Sequence, residues 1–317
     1  MPEIKNFKKA LRIIGIVLFI YILSRVNWPE FLEIFKEINV FYFLLGILLI
    51  IPSIFLRALR WRELVNSTGA RISKKTLIAI FVKGLFLGVI TPGKLGEFYR
   101  AKYLAQTTDV SLDKALFTVV FDKITELFVA AFLGILAILA LSYFFDVNIL
   151  LMGVILVPIV ALGIYFMAKR GHSQKLLKFF LQIFLFDFLK KKAEVFFNGF
   201  FEEAKSLTKI LIIKLFYYEL LLYFLMVFVF FFMALSLGIN IPLWYLCAMV
   251  PLVSIIAAIP ISILGLGTRE ATFIFLFSLI NLSLDQAVAL SFLIMIWSIF
   301  SGLPGFILIY FPFKILK

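Results

Sequence analysis

The chain has a single Cys, Cys247, and a single His, His172, among 317 residues. One cysteine excludes an internal disulfide, and one of each excludes the usual His/Cys zinc site. Charge is scarce: 15% of the residues are charged, against 64% hydrophobic. A soluble domain carries about 25% charged and about 45–50% apolar residues. So little polar surface does not cover a water-soluble globule, which excludes a soluble enzyme, a DNA-binding protein and a disordered chain. Strict apolar/polar alternation is missing too, which excludes an outer-membrane barrel. No Walker-type GxxxxGK(S/T) motif occurs, so ATP drive within this chain is not expected.

What is abundant is apolar length, with 40 Phe. The composition therefore points to one all-α polytopic membrane domain over residues 1–317. The net charge of +13 reports topology, because Lys and Arg collect in cytoplasmic loops. Lys5, Lys8, Lys9 and Arg12 precede the first apolar run, and no small-residue cleavage site follows it, so a retained first helix is expected. About six full spans are expected, near 13–24, 40–58, 114–144, 149–168, 210–238 and 285–311. Residues 28–39 place Phe31, Ile34, Phe35 and Ile38 at helical spacing, as an interfacial helix does. Residues 169–209 are Lys-rich with interleaved Phe and Leu, which reads as a cytoplasmic amphipathic hairpin on anionic lipid. The loops that would lie outside hold only Arg25 and Lys36. This bias puts both termini in the cytoplasm of a cell-membrane protein.

Two segments break the pattern. Residues 76–106 hold an apolar arm and a polar-studded one joined by Thr91-Pro92-Gly93-Lys94-Leu95-Gly96-Glu97, and residues 243–281 hold an apolar arm and a second short arm joined by Gly265-Leu266-Gly267-Thr268-Arg269-Glu270. Each arm of the first is about 15 residues, too short for the roughly 30 Å hydrocarbon core at about 1.5 Å rise per residue. Pro92, Gly93, Gly96, Gly265 and Gly267 supply the breaks. Both segments read as re-entrant hairpins, one per half (about 1–145 and 146–317), entering from opposite faces. That is the signature of an inverted-repeat transporter with its site at the breaks. The free N-terminus of each second arm would favour an anion such as phosphate.

Charges gather at these breaks: Lys94, Glu97, Arg100, Arg269 and Glu270, with Lys83 on the first arm and Asp122, Lys123 and Glu126 on the long helix. An unpaired charge at bilayer centre costs about 2.5–3.5 kcal/mol on insertion scales, so the cluster must face a polar interior. Structural pairing at the hairpin tips is the simpler use of these groups, and substrate binding the functional one. Arg57, Arg60 and Trp61 fit an interfacial anchor or a head-group contact equally well. Lys214 and Glu219 lie near a span end and read as snorkelling side chains.

With these motifs assembled, the chain resembles the transmembrane region of lysylphosphatidylglycerol synthases, the flippase half of the bacterial multiple peptide resistance factor. The resemblance covers nearly the whole chain. It rests on Arg57-x-x-Arg60-Trp61, Pro92-Gly93-Lys94-Leu95-Gly96-Glu97-x-x-Arg100 and Gly265-x-Gly267-Thr268-Arg269-Glu270-Ala271, in that order. That family usually has Arg where Lys94 stands, and often Glu-Arg-x-x-Asp where this chain has Asp122-Lys123-x-x-Glu126. Lysine keeps the charge but loses bidentate phosphate binding. The resemblance implies a lipid translocase. Its phosphate would meet Lys94, Arg100 and Arg269, while Glu97 and Glu270, helped by Asp122 and Glu126, balance those cations. No stretch here corresponds to the soluble aminoacyl-transferase domain of some relatives, so aminoacyl transfer is not implied. Membrane lipids and a separate lipid-modifying enzyme are the expected partners, and neither metal nor cofactor is expected. Two rivals remain at this point: a secondary transporter of a small anion, and an intramembrane lipid-modifying transferase using Glu97 or Asp122. A non-catalytic scaffold would leave the intramembrane charges without a purpose.

Overall fold

A computed structural model describes residues 15–145, 200, 203–204, 207–258 and 265–311. The span expected at 149–168, nearly all of the 169–209 hairpin, and His172 lie outside the described residues. Among the described residues the secondary structure is helical, without strands. In chain order the helices are α1 (Gly15–Arg25), α2 (Trp28–Lys36), α3 (Val40–Leu48), α4 (Ile50–Ser67), α5 (Lys74–Val89), a 3-10 turn (Pro92–Phe98), α6 (Tyr99–Thr107) and α7 (Leu112–Phe144). Then come α8 (Lys209–Ser236), α9 (Leu243–Ala258), α10 (Thr268–Leu279) and α11 (Leu284–Tyr310).

Helix starts follow ordinary capping chemistry. Asn39, Ser73, Ser111, Thr208 and Ser283 each accept a backbone N–H at the start of α3, α5, α7, α8 and α11. Among the described residues four segments are long and apolar enough to cross a bilayer: Val40–Ser67, Leu112–Phe144, Lys209–Ser236 and Leu284–Tyr310. The chain is thus a multi-pass helical membrane protein. The α1–α2 pair adds a further candidate span, bent by 86°. That bend follows Val26-Asn27 and sits where the interfacial helix was expected to turn. The apolar run expected at 40–58 continues through the Arg60 region to Ser67.

The two broken segments also appear. Between α5 and α6 the chain passes through Gly93 (φ 59°) and Lys94 (φ 56°), both left-handed. Lysine in that region costs about 1–2 kcal/mol. Between α9 and α10, Gly265 (φ 75°) and Gly267 (φ 85°) do the same without a Cβ penalty.

Among the described residues two large apolar cores, beside a small third one at Ile22, Val26 and Val288, hold the bundle. One joins the second half of α7 with α8, α9, α10 and α11, and centres on Met233, Tyr245, Met249, Phe273 and Phe277. The other joins α4, α5, α6 and the first half of α7, around Trp61, Leu77, Leu104 and Phe117. α11 runs along α5 and closes the gap between the cores. At Gly305 the backbones meet so closely that a Cβ would strike the Val82 carbonyl, whereas at Gly302 it would lie 3.3 Å from Val89 Cγ2. Gly305→Ala should therefore lower stability by about 1–3 kcal/mol through overpacking. Gly302→Ala should be neutral or better, because Ala gains up to about 1 kcal/mol of helix propensity. Thermal unfolding in detergent checks the contrast; equal effects would show that this contact does not set the α5–α11 spacing.

Candidate functional site

Between the two cores lies a buried ionic network. Asp122, 1% exposed on α7, is its hub. Its Oδ1 accepts from Arg60 Nε of α4 at 2.8 Å, and its Oδ2 accepts from the Arg100 guanidinium of α6 at 3.0 Å. Arg100 also donates to Glu97 Oε2 at 3.1 Å, and its guanidinium carbon stands 5.1 Å from the ring centroids of both Trp61 and Phe81. The Trp61 indole N–H donates to Thr118 Oγ1 at 3.1 Å, fixing that ring. Arg100 is thus paired with two carboxylates and seated on two aromatic faces, an arrangement only a planar cation fills well.

The network continues outward. Lys123 bridges Glu97 (2.8 Å) and Glu126 (2.6 Å), and Lys94 reaches Glu126 at 3.5 Å. Arg60 lies 4.0 Å from Glu126 and makes a direct ion pair with Glu219 of α8. Small residues allow this crowding: a Cβ on Gly84 would overlap Arg100, one on Gly88 would press on Glu97, and one on Gly96 would strike the Leu87 carbonyl. The 3-10 turn can therefore lie flat against α5 and deliver Glu97 inward.

The second break carries a simpler unit. Arg269 and Glu270 pair at 2.6 Å, and Ser291 of α11 accepts from Arg269 Nε and donates to Glu270 Oε1, each at 2.8 Å. Glu270 Oε2 also accepts the Gly267 N–H at 2.6 Å. At the first break the Gly96 N–H is given to Thr91 Oγ1 at 2.6 Å. Two of the backbone donors expected to greet an anion are therefore already engaged. Lys83 lies on the first arm, α5, and places its ammonium 5.5 Å from the Tyr103 ring centroid.

A cavity of about 150 Å³ connects the two breaks. Arg57, Arg60, Lys94, Glu97, Glu126 and Glu219 line one side, and Arg269, Ser254, Ser298 and Ser301 the other. The Lys94 side chain is 44% exposed and marks the mouth. Each of the three serines donates its hydroxyl hydrogen to a helix carbonyl (Val250, Ile294 and Ser298), so it can offer lone pairs to a ligand. Of the residues predicted from sequence, Gly93, Lys94, Glu97, Glu126, Arg57, Arg60 and Arg269 reach the cavity. Arg100, Asp122, Lys123, Glu270, Pro92, Gly96, Gly265, Gly267 and Trp61 are not part of its lining. Arg60 and Trp61 are buried inside the bundle, which corrects the interfacial-anchor reading for that pair.

The sequence reading missed Ser254, Ser298 and Ser301 in the lining and Ser291 behind it, and gave Glu219 another role. Glu219 is 4% exposed and lines the cavity. It sits ten residues into α8, about 15 Å along the axis, too deep for a short carboxylate to snorkel. That depth was the available signal. Ser291 had none, being one of several serines in an apolar run. Among the described residues no group of three or more His, Cys, Asp or Glu is placed to hold a metal ion.

A helical membrane protein with a charged internal cavity is the class this geometry defines. The model of the family described as "Lysylphosphatidylglycerol synthase TM region" matches residues 10–305, and the chain belongs to that family. It is similar to the UPF0104 membrane protein MJ1595 of Methanocaldococcus jannaschii, 25% identical over 314 residues, covering 92% of this chain and 91% of the relative. A UPF0104 membrane protein of Methanothermobacter thermautotrophicus is 23% identical, covering 51% of this chain and 48% of its own length. The UPF0104 membrane protein PH1989 of Pyrococcus horikoshii is 25% identical, covering 56% and 55%. No solved structure matches.

Replacing Asp122 by Asn leaves two buried arginines short of a counter-charge. The expected loss is about 3–5 kcal/mol, that of breaking a buried pair. Lys114→Gln, which removes an ion pair with Glu203 from a side chain that is 47% exposed, should cost about 0–1 kcal/mol. Unfolding midpoints in detergent separate the two; a mild Asp122→Asn would refute the hub.

Proposed function

We propose that the protein is a lipid translocase that carries a phosphate-bearing head group across the bilayer through the charged cavity. In this reading the two broken segments are re-entrant hairpins from opposite faces of an inverted repeat, and the protein acts in the cell membrane with its termini cytoplasmic. One observation carries it. A single cavity is lined by Lys94 and Glu97 from the first break and by Arg269 from the second, with Arg57 and Arg60 beside them. These cations offer N–H donors to a phosphate. Arg100, Asp122, Lys123 and Glu270 act behind them, holding the lining residues in place.

The family membership and the implied head-group chemistry agree with this reading. Glu97 and Asp122 are both held by cations, which speaks for charge balance over base catalysis. The cavity volume also accommodates a small soluble anion, and that is the second reading.

Lys94→Gln sits at the exposed mouth and should leave folding intact. It should slow the movement of fluorescent phosphatidylglycerol in proteoliposomes by about tenfold, the worth of one phosphate contact of about 1.4 kcal/mol. Glu97→Ala and Arg269→Ala should abolish it. Full activity in all three would retire the site. Phosphate uptake without lipid movement would establish the second reading.

A further inference from the structure

Arg57 lines the cavity without an ion pair among the described residues, whereas Arg60 beside it is already neutralised. An anion that engages Arg57 and reaches on to Arg60 must displace a carboxylate, and the three carboxylates around Arg60 differ in what they would lose. Asp122 would keep Arg100 at 3.0 Å. Glu126 would keep Lys123 at 2.6 Å and Lys94 at 3.5 Å. Glu219 has Arg60 as its one ion-pair partner among the described residues. Both members of that pair line the cavity, while Arg60 stays anchored through Nε to Asp122. Of the contacts Arg60 makes, the one to Glu219 can be opened without dismantling the hub, and opening it leaves a carboxylate with no other ion-pair partner among the described residues.

The consequence is electrostatic. A displaced Glu219, 4% exposed, would be a buried charge without a counter-ion, a state that costs several kcal/mol. A proton removes that cost. The groups around it come from every neighbouring wall of the cavity: Arg57 and Arg60 of α4, Lys94 and Glu97 of the turn, Glu126 of α7, Tyr223 on its own helix and Arg269 of α10. α9 and α11 supply Ser254, Ser298, Ser301 and the Trp297 indole there. Lys214, one turn before Glu219, is spent on Glu63 at 3.5 Å. α3 carries Tyr42, stacked on Phe232 far along α8.

We infer that anion binding in this cavity is coupled to protonation of Glu219. The anion takes the place of Glu219 on the Arg60 guanidinium, and the released carboxylate takes one proton from water at the cavity mouth. The net charge of the cavity is then the same before and after a monoanionic phosphodiester enters. This rests on the phosphate-site reading above and adds its coupling ion.

The test is calorimetry on the full chain in detergent, in buffers of different ionisation enthalpy, between about pH 6 and 7.5. The probes are dihexanoyl phosphatidylglycerol, whose diester does not titrate in this range, and inorganic phosphate. The wild type should take up close to one proton per lipid bound, and its Kd should weaken about tenfold per pH unit. Glu219→Gln should bind with a nearly pH-independent Kd and take up none. Wild-type binding without proton uptake overturns the coupling, and so does uptake that survives in Glu219→Gln. The wild-type measurement alone decides if the variant does not fold. Inorganic phosphate titrates in this range itself, so its proton uptake counts for Glu219 only where Glu219→Gln abolishes it. Such uptake with inorganic phosphate, without binding of the lipid, supports the proton step and makes the substrate a free anion, and uptake that persists in the variant overturns the coupling. Absence of binding by both probes sinks the phosphate site itself, and the coupling with it.

Discussion

Asp122 is the carboxylate shared by two buried arginines from different helices, each of which has one further acidic partner of its own. One oxygen serves Arg60 and the other Arg100, so one carboxylate ties α4, α6 and α7 together. In a low-dielectric interior such a hub does not gain stability over an apolar core of the same shape. Its value is conditional: once the arginines are there, the carboxylate has to be. The rest of the site follows from this obligation. Arg100 is held so that Glu97 is held, and Glu97 in turn positions Lys123 against Glu126.

Backbone packing makes the hub possible. Glu97 is delivered by a 3-10 turn that presses on α5 through Gly84, Gly88 and Gly96, and α5 is pressed from its other side by Gly305 of α11. Side chains at these glycines would push the turn away and break the ion pairs. The glycines and the charges are thus two halves of one requirement. Left-handed Lys94 fits the same account: its backbone strain is offset by bringing its ammonium to Glu126 and the cavity mouth.

Much of this was legible in the sequence, because a charge inside an apolar run has few physical uses. The scarcity of charge exposed the membrane class, and Pro92-Gly93 and Gly265-x-Gly267 exposed the breaks. The long helix Leu112–Phe144 followed from its unbroken apolar pattern. What failed to show was partnership. Nothing local links Arg60 to Asp122, which are 62 residues apart, so Arg60 read equally as an interfacial anchor or a head-group contact. Glu219 read as a snorkelling group because it lies near a span end, whereas its partner, Arg60, lies on another helix. The occupation of the Gly96 and Gly267 N–H groups by Thr91 and Glu270 was equally hidden, since capping competes locally with ligand binding and sequence does not rank the two.

The size of the cavity limits what enters it. An engineered cavity of about 150 Å³ holds benzene, a ligand of six heavy atoms. The cavity here, of similar volume, therefore admits a phosphate or a small polyol, and not a whole lipid. Acyl chains would have to stay outside. Its lining is mixed accordingly: Leu85, Val89, Leu222, Met226 and Phe230 join the ionic residues. Cationic donors and serine lone pairs face the same space, so a head group that carries both a phosphate and hydroxyl or ammonium donors satisfies more of the wall than a bare anion. Every polar atom left unmatched in such a confined site costs about 1–3 kcal/mol, and that difference weights the lipid reading over the free-anion one.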